Sequence, residues 1–140
     1  MSDELEIIKR RMLARMLREV QKPSAETPCP HNKRADSTAL NTTLRQCRVT
    51  LADFWAPWCG PCRMVEPVVE SLAEEFGGKI AVLKVNVDEN PDLAAAYQVM
   101  SIPTLILFRG REEYRRFIGF SPLLEHQLRS EIRRLLRGAG

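Results

Sequence analysis

Val49-Thr50-Leu51-Ala52-Asp53-Phe54-Trp55-Ala56-Pro57-Trp58-Cys59-Gly60-Pro61-Cys62 is an apolar run that ends on two thiols three positions apart. Its first seven residues are mostly β-branched, aliphatic and aromatic, and read as a strand. Past the second thiol, Met64, Val65, Val68, Val69, Leu72, Ala73 and Phe76 recur at helical spacing until Gly77-Gly78 supplies a stop. The thiol pair therefore falls where a strand turns into a helix. Cys59 is expected as the exposed member at the helix N-terminus, where unpaired backbone N–H groups and the macrodipole favour a negative charge. A thiolate there has a lowered pKa and is present at neutral pH. Cys62, one turn further on and nearer the interior, is placed to attack a mixed disulfide formed at Cys59.

A Cys-x-x-Cys pair is also half of a structural zinc site. Zinc would need two more ligands, and the remaining cysteines, Cys29 and Cys47, are eighteen residues apart with no second Cys-x-x-Cys. A redox role is therefore favoured and no metal is expected. Cys47, just before the strand, reads most simply as a small buried apolar residue, and Cys29 as exposed. A disulfide between them, or a metal site using His31, would each require the intervening chain to fold back. His126 reads as a surface helix residue.

With strand, thiol pair and helix in place, the chain resembles the thioredoxin family. The stretch Asp53-Phe54-Trp55-Ala56-Pro57-Trp58-Cys59-Gly60-Pro61-Cys62-Arg63 carries most of the likeness. The match continues through Pro67, which would kink the helix, Lys84-Val85-Asn86-Val87-Asp88, and Ser101-Ile102-Pro103-Thr104 to Gly119, covering roughly residues 37 to 137. The resemblance implies a thioredoxin fold with a central mixed β-sheet and helices on both faces. It implies reduction of protein disulfides by dithiol-disulfide exchange, with Cys59 as nucleophile and Cys62 as resolving thiol. The carrier of electrons would be the Cys59–Cys62 disulfide, with no bound cofactor, and the electron donor a flavin-dependent thioredoxin reductase. Gly60-Pro61 matches the reducing members, whereas oxidants and isomerases generally carry a histidine before the second cysteine.

An acid in a strand of Val, Leu, Phe and Trp must be buried or must point to an edge, and burial without a partner raises a carboxyl pKa. By resemblance Asp53 is the buried aspartate below the second cysteine, the proton acceptor, acting through water, when Cys62 attacks. Lys84 matches the lysine near that carboxylate. Pro103 would follow a cis peptide and wall off the disulfide, with the Ile102 backbone free to pair with an extended substrate. Trp58, Gly60, Pro61, Ile102 and Gly119 would surround Cys59 with a flat apolar patch that recognises backbone and shape. Trp55 is expected to be a core and supporting residue.

Outward from this centre, Ile80 to Val87 is a nearly continuous apolar strand of the kind buried on both faces of a parallel sheet. Asn90-Pro91 starts a helix through Leu93, Ala94 and Tyr97. Thr104 to Phe108 and Tyr114 to Ile118 read as a hairpin joined at Arg109-Gly110-Arg111-Glu112, which makes the sheet mixed. Ser121-Pro122 opens a last helix with Leu124, Leu128, Ile132, Leu135 and Leu136 inward. The alternation β-α-β-α-β-β-α predicts an α/β fold with the thiols at the C-terminal edge of the sheet.

Ahead of this domain, taken as 37–140, lie a linker over 21–36 with three prolines and an amphipathic helix over 1–20. The linker fills the place of the family's usual first strand, which must be short and irregular or missing. Ser37 is expected to cap a short helix through Leu40 and Leu44 to Gln46. In the N-terminal helix Leu5, Ile8, Met12, Met16 and Val20, flanked by Leu13 and Leu17, draw an apolar stripe, and Asp3 with Glu6 forms a capping-box pattern. The stripe would pack on the domain, on a second copy or partner, or on a membrane; three acids in the first turn oppose anionic lipid.

The 140 residues, 44% hydrophobic and 28% charged, suit one soluble domain with an appendage. No apolar stretch approaches the roughly 20 residues that span a bilayer, and no signal peptide is recognisable, so a cytoplasmic protein without stable membrane insertion is expected. Residues 1–34 hold eight Lys or Arg against five acids and the remainder thirteen of each, so the domain is electrically balanced and no nucleic-acid partner is expected. Two functions compete: a general protein-disulfide reductase, and a specialised redox adaptor serving one partner docked by the N-terminal helix. An oxidase or isomerase is a weaker third.

Overall fold

The strand that carries the sequence argument lies at the centre of the sheet. In the computed structural model, which describes residues 2–21 and 29–138, ten elements follow in chain order. They are α1 (Ser2–Gln21), β1 (Lys33–Arg34), α2 (Ser37–Gln46), β2 (Val49–Trp55) and α3 (Gly60–Phe76), then β3 (Ala81–Asn86), α4 (Pro91–Ala96), β4 (Thr104–Arg109), β5 (Glu112–Ile118) and α5 (Leu124–Arg137). The strand order is β1-β3-β2-β4-β5, with β1, β3 and β2 parallel and β4 and β5 antiparallel to their neighbours. The mixed sheet and its hairpin are as the sequence predicts.

The period-two alternation of a strand divides β2 between two cores. Val49 and Leu51 join Val82, Leu105, Leu107 and Phe117 under α3 and α5, whose Val65, Val69, Leu72, Phe76, Leu128 and Ile132 complete that core. Ala52 and Phe54 join Leu83, Val85, Ile106 and Phe108 on the opposite face, covered by Leu40 and Leu44 of α2 and Leu93 of α4. Asp53 follows Val49 and Leu51 in the alternation, so its side chain is directed to the α3 side. Truncating one of the fully buried leucines would cost about 2–5 kcal/mol.

Several expectations are corrected. Met64, one of the apolar residues that recur at helical spacing along α3, is exposed; the buried residues of that helix are Cys62, Val65, Val69, Leu72, Ala73 and Phe76. The cap of α2 is Asp36, not Ser37; its carboxylate accepts from the Ala39 N–H at 2.8 Å. Asp3 lies inside the first turn of α1 rather than capping it. Cys29 and Cys47 form a disulfide with Cα atoms 6.1 Å apart, so Cys29 is half-buried and Cys47, although buried, is not a free thiol. The fold-back that this bond requires is present. Pro30 accepts a backbone hydrogen bond from Val82 at 2.8 Å, and Lys33 and Arg34 pair with Leu83 and Lys84, so the first strand exists inside the segment read as linker and is two residues long.

α1 forms as the periodicity predicts, but over residues 3–15 its apolar side chains Leu5, Ile8, Met12 and Leu13 are exposed, as is Ile7. The side chains of Met16, Leu17 and Val20, and linker residues 22–28, lie outside what is described. No helix among the described residues is long and apolar enough to cross a membrane.

Candidate active site

β2 ends at Trp55, and a short turn, Ala56-Pro57-Trp58, delivers Cys59 to the first position before α3. Cys59 is the N-cap: its backbone N–H donates to the Ala56 carbonyl at 3.1 Å, and its sulfur accepts from the Cys62 N–H at 3.2 Å. Pro61 in the first turn has no N–H to leave unsatisfied and a φ suited to helix entry. Cys59 and Cys62 form a disulfide, with Cα atoms 5.3 Å apart. A sulfur at this place accepts a backbone N–H at the positive end of the helix dipole, a setting that favours negative charge.

The expected contrast in exposure between the two thiols is absent. Cys59 is 4% and Cys62 6% exposed. Ala56, the two cysteines, Trp55, Val87 and Ile102 form one small apolar cluster that closes over the disulfide. Trp58, Gly60 and Pro61 around it are exposed, whereas Ile102 and Gly119 are half-buried. The Trp58 indole N–H donates to Asp88 Oδ2 at 2.9 Å, which fixes the ring at the rim. The Ile102–Pro103 peptide is cis, and Pro103 is buried. Gly119 has φ of 81°, a left-handed conformation that glycine adopts without strain, and its N–H donates to the Pro103 carbonyl at 2.8 Å. Two exposed apolar side chains that the sequence did not single out, Met100 and Phe120, stand two residues before Ile102 and one after Gly119 in the chain.

Beneath the disulfide, Asp53 is 2% exposed and its Oδ1 has no hydrogen-bond partner. Burial pushes its carboxyl up to about 7, opposed by the Lys84 ammonium and reinforced by the negative Glu66. Asp53, Cys62 and Glu66 line one cavity of about 250 Å³ together with Trp55, Ala56, Pro57, Arg63 and Lys84, a volume that admits water. Lys84 is the register partner of Asp53 on β3, as expected of a neighbour. Its ammonium, however, sits 2.9 Å from Glu66 Oε1 and 4.5 Å from the centre of the Trp55 ring. Glu66 is a site residue that sequence reading passed over; its one signal is its place four residues after Cys62. Trp55, expected as a core and supporting residue, is half-buried rather than in the core, and is flanked by Lys84 and Arg34. His31 and His126 are exposed.

A reducible pair at a helix start, a carboxyl that can take or return a proton near neutrality, and an apolar rim are the parts needed for thiol-disulfide exchange. The family model for thioredoxin matches residues 32–134. Thioredoxin 1 of Nostoc sp. is 51% identical over 87 residues, which are 62% of this chain and 81% of that protein. Thioredoxin of Staphylococcus epidermidis is 57% identical over 74 residues, 53% of this chain and 71% of its own. Among solved structures, the N21Q mutant thioredoxin from Halobacterium salinarum superposes with a TM-score of 0.66 at 42% identity, over 74% of this chain and 90% of that one.

Proposed function

The chain belongs to the thioredoxin family of thiol-disulfide oxidoreductases, and on that footing we propose that it is a protein-disulfide reductase in which Cys59 is the nucleophile, Cys62 the resolving thiol and Asp53 the proton acceptor. The observation that carries this reading is the Cys59–Cys62 disulfide at the N-terminus of α3, directly above the cavity that Cys62 shares with Asp53.

The Cys59 thiolate attacks one sulfur of a substrate disulfide; the other substrate sulfur leaves as a thiolate. Cys62 then gives its proton to the Asp53 carboxylate, through water in the cavity, and its thiolate attacks Cys59 Sγ. The Cys59–substrate bond breaks, the second substrate thiolate leaves, and the Cys59–Cys62 disulfide holds the two electrons' worth of oxidation. A carboxyl that titrates near 7 is ionised often enough to accept this proton and weak enough as an acid to return it. A flavin-dependent thioredoxin reductase restores the dithiol. Trp58, Ile102 and Gly119 receive the substrate, with Gly60, Pro61 and Pro103 shaping the patch and Lys84 supporting Asp53. The reaction belongs in the cytoplasm, where reductant is available.

Insulin-disulfide reduction with dithiothreitol as electron source tests the reading. The full chain should be active, Cys59→Ser inactive, and Cys62→Ser should trap substrates as mixed disulfides visible on non-reducing gels. Inactivity of the full chain would refute the reductase reading, and full activity of Cys59→Ser would refute the assigned nucleophile.

A further inference from the structure

Cys62 and Glu66 are four residues apart on α3 and so share one helical stripe. That stripe covers the face of the sheet on which Asp53 and Lys84 are register partners. Three charged or ionisable side chains therefore meet below one sulfur, and their pairing is unequal. The Lys84 ammonium is bound to Glu66 at 2.9 Å, resting on the Trp55 ring. Asp53 Oδ1 is left without a hydrogen bond. From α3, Arg63 also lines the cavity; from β4, the register partner of Asp53 is Leu105, which brings no charge. Lys84 is 14% exposed and Glu66 50%, so the pair is solvated mainly on its Glu66 side.

We propose that Glu66 is a positioning residue for the proton-transfer step: by engaging the Lys84 ammonium on its own carboxylate, it prevents that cation from fixing Asp53 as a permanent anion and keeps Asp53 able to take and return the Cys62 proton. The proposal deepens the reading of Asp53 as proton acceptor and rests on it. An ammonium free to turn to Asp53 would stabilise the carboxylate and weaken it as a base, since an opposite charge within a few ångströms favours the ionised form. Glu66 acts twice in the other direction, through its own negative charge and through its hold on Lys84. Because Glu66 is half-exposed, added salt should weaken its effect.

The test follows the Asp53 side-chain carboxyl by ¹³C NMR through a pH titration of the oxidised full-length protein. In Glu66→Gln, which keeps the shape and removes the charge, the Asp53 midpoint should fall by roughly one pH unit. Adding Lys84→Met to Glu66→Gln should raise it again. The pH dependence of mixed-disulfide resolution by Cys62, measured in single turnover, should show its acid limb displaced downward by the same interval in Glu66→Gln. A purely structural role would alter thermal stability and leave both titrations in place, and an unmoved Asp53 midpoint overturns the proposal. Asp53→Asn separates the two levels. If that variant resolves mixed disulfides at the wild-type rate, the proton-acceptor reading fails whatever the Glu66 titration shows.

Discussion

Asp53 places an ionisable group in the most densely buried strand of the molecule, and its cost has a definite pH dependence. The unfolded chain releases this proton near 3.8, whereas the folded chain retains it up to about 7. Between those values the native state binds more protons than the unfolded one, so the stability linked to this group is fully present below about pH 4 and is lost as pH rises through 7. At 1.36 kcal/mol per unit, the loss by pH 8 is on the order of 4 kcal/mol. Asp53→Asn should therefore be more stable than wild type at pH 8 by up to about that amount and close to it at pH 4, as read from urea unfolding at the two pH values. Equal differences at both would contradict a proton-retaining carboxyl. The burial of Asp53 was legible because an acid among Leu, Ala, Phe and Trp has few other places to go. Glu66 was not legible, because a glutamate among the polar positions of a helix is indistinguishable in sequence from one that faces solvent alone.

At the level of elements, periodicity identified every helix and strand that buries a stripe, because burial is what the pattern encodes. Local chemistry that depends on a distant partner escaped it. Arg116 on β5 donates to the Tyr97 and Gln98 carbonyls at the end of α4, at 2.7 and 3.2 Å, while Glu113 pairs with it at 2.8 Å. In the same way Arg129 and Arg133 of α5 reach Glu75 of α3 at 2.7 and 3.1 Å. The two-residue β1 was hidden because it is too short to show a period, and because its anchor is the Cys29–Cys47 bond, a contact between residues separated by 18 positions. Closing a loop of that length restricts the unfolded chain by about 3 kcal/mol. The double variant Cys29→Ser, Cys47→Ser should melt on the order of 10 °C lower by calorimetry under non-reducing conditions, with insulin reduction retained. An unchanged melting point would show that β1 and α2 are held without the bond.

For the molecule as a whole, neither core includes a described side chain of α1: Leu5, Ile8, Met12 and Leu13 are exposed. A chain starting at residue 29 keeps both cysteines of the Cys29–Cys47 bond and should match the full chain in thermal midpoint and in insulin reduction. A large loss of either would mean that α1 supports the domain. That the helix would form was legible in its 3.6-residue stripe. What the stripe faces was not, since an amphipathic pattern specifies that a surface is apolar and leaves its partner open.

The Cys29–Cys47 bond also changes the electron count. All four cysteines are paired, so the fully oxidised chain accepts four electrons and yields four thiols on complete reduction, although one turnover of the Cys59–Cys62 couple moves only two. A reductive titration should accordingly consume two equivalents of dithiol per chain, one through the pair that cycles and one through a pair that, once opened, takes no further part in turnover.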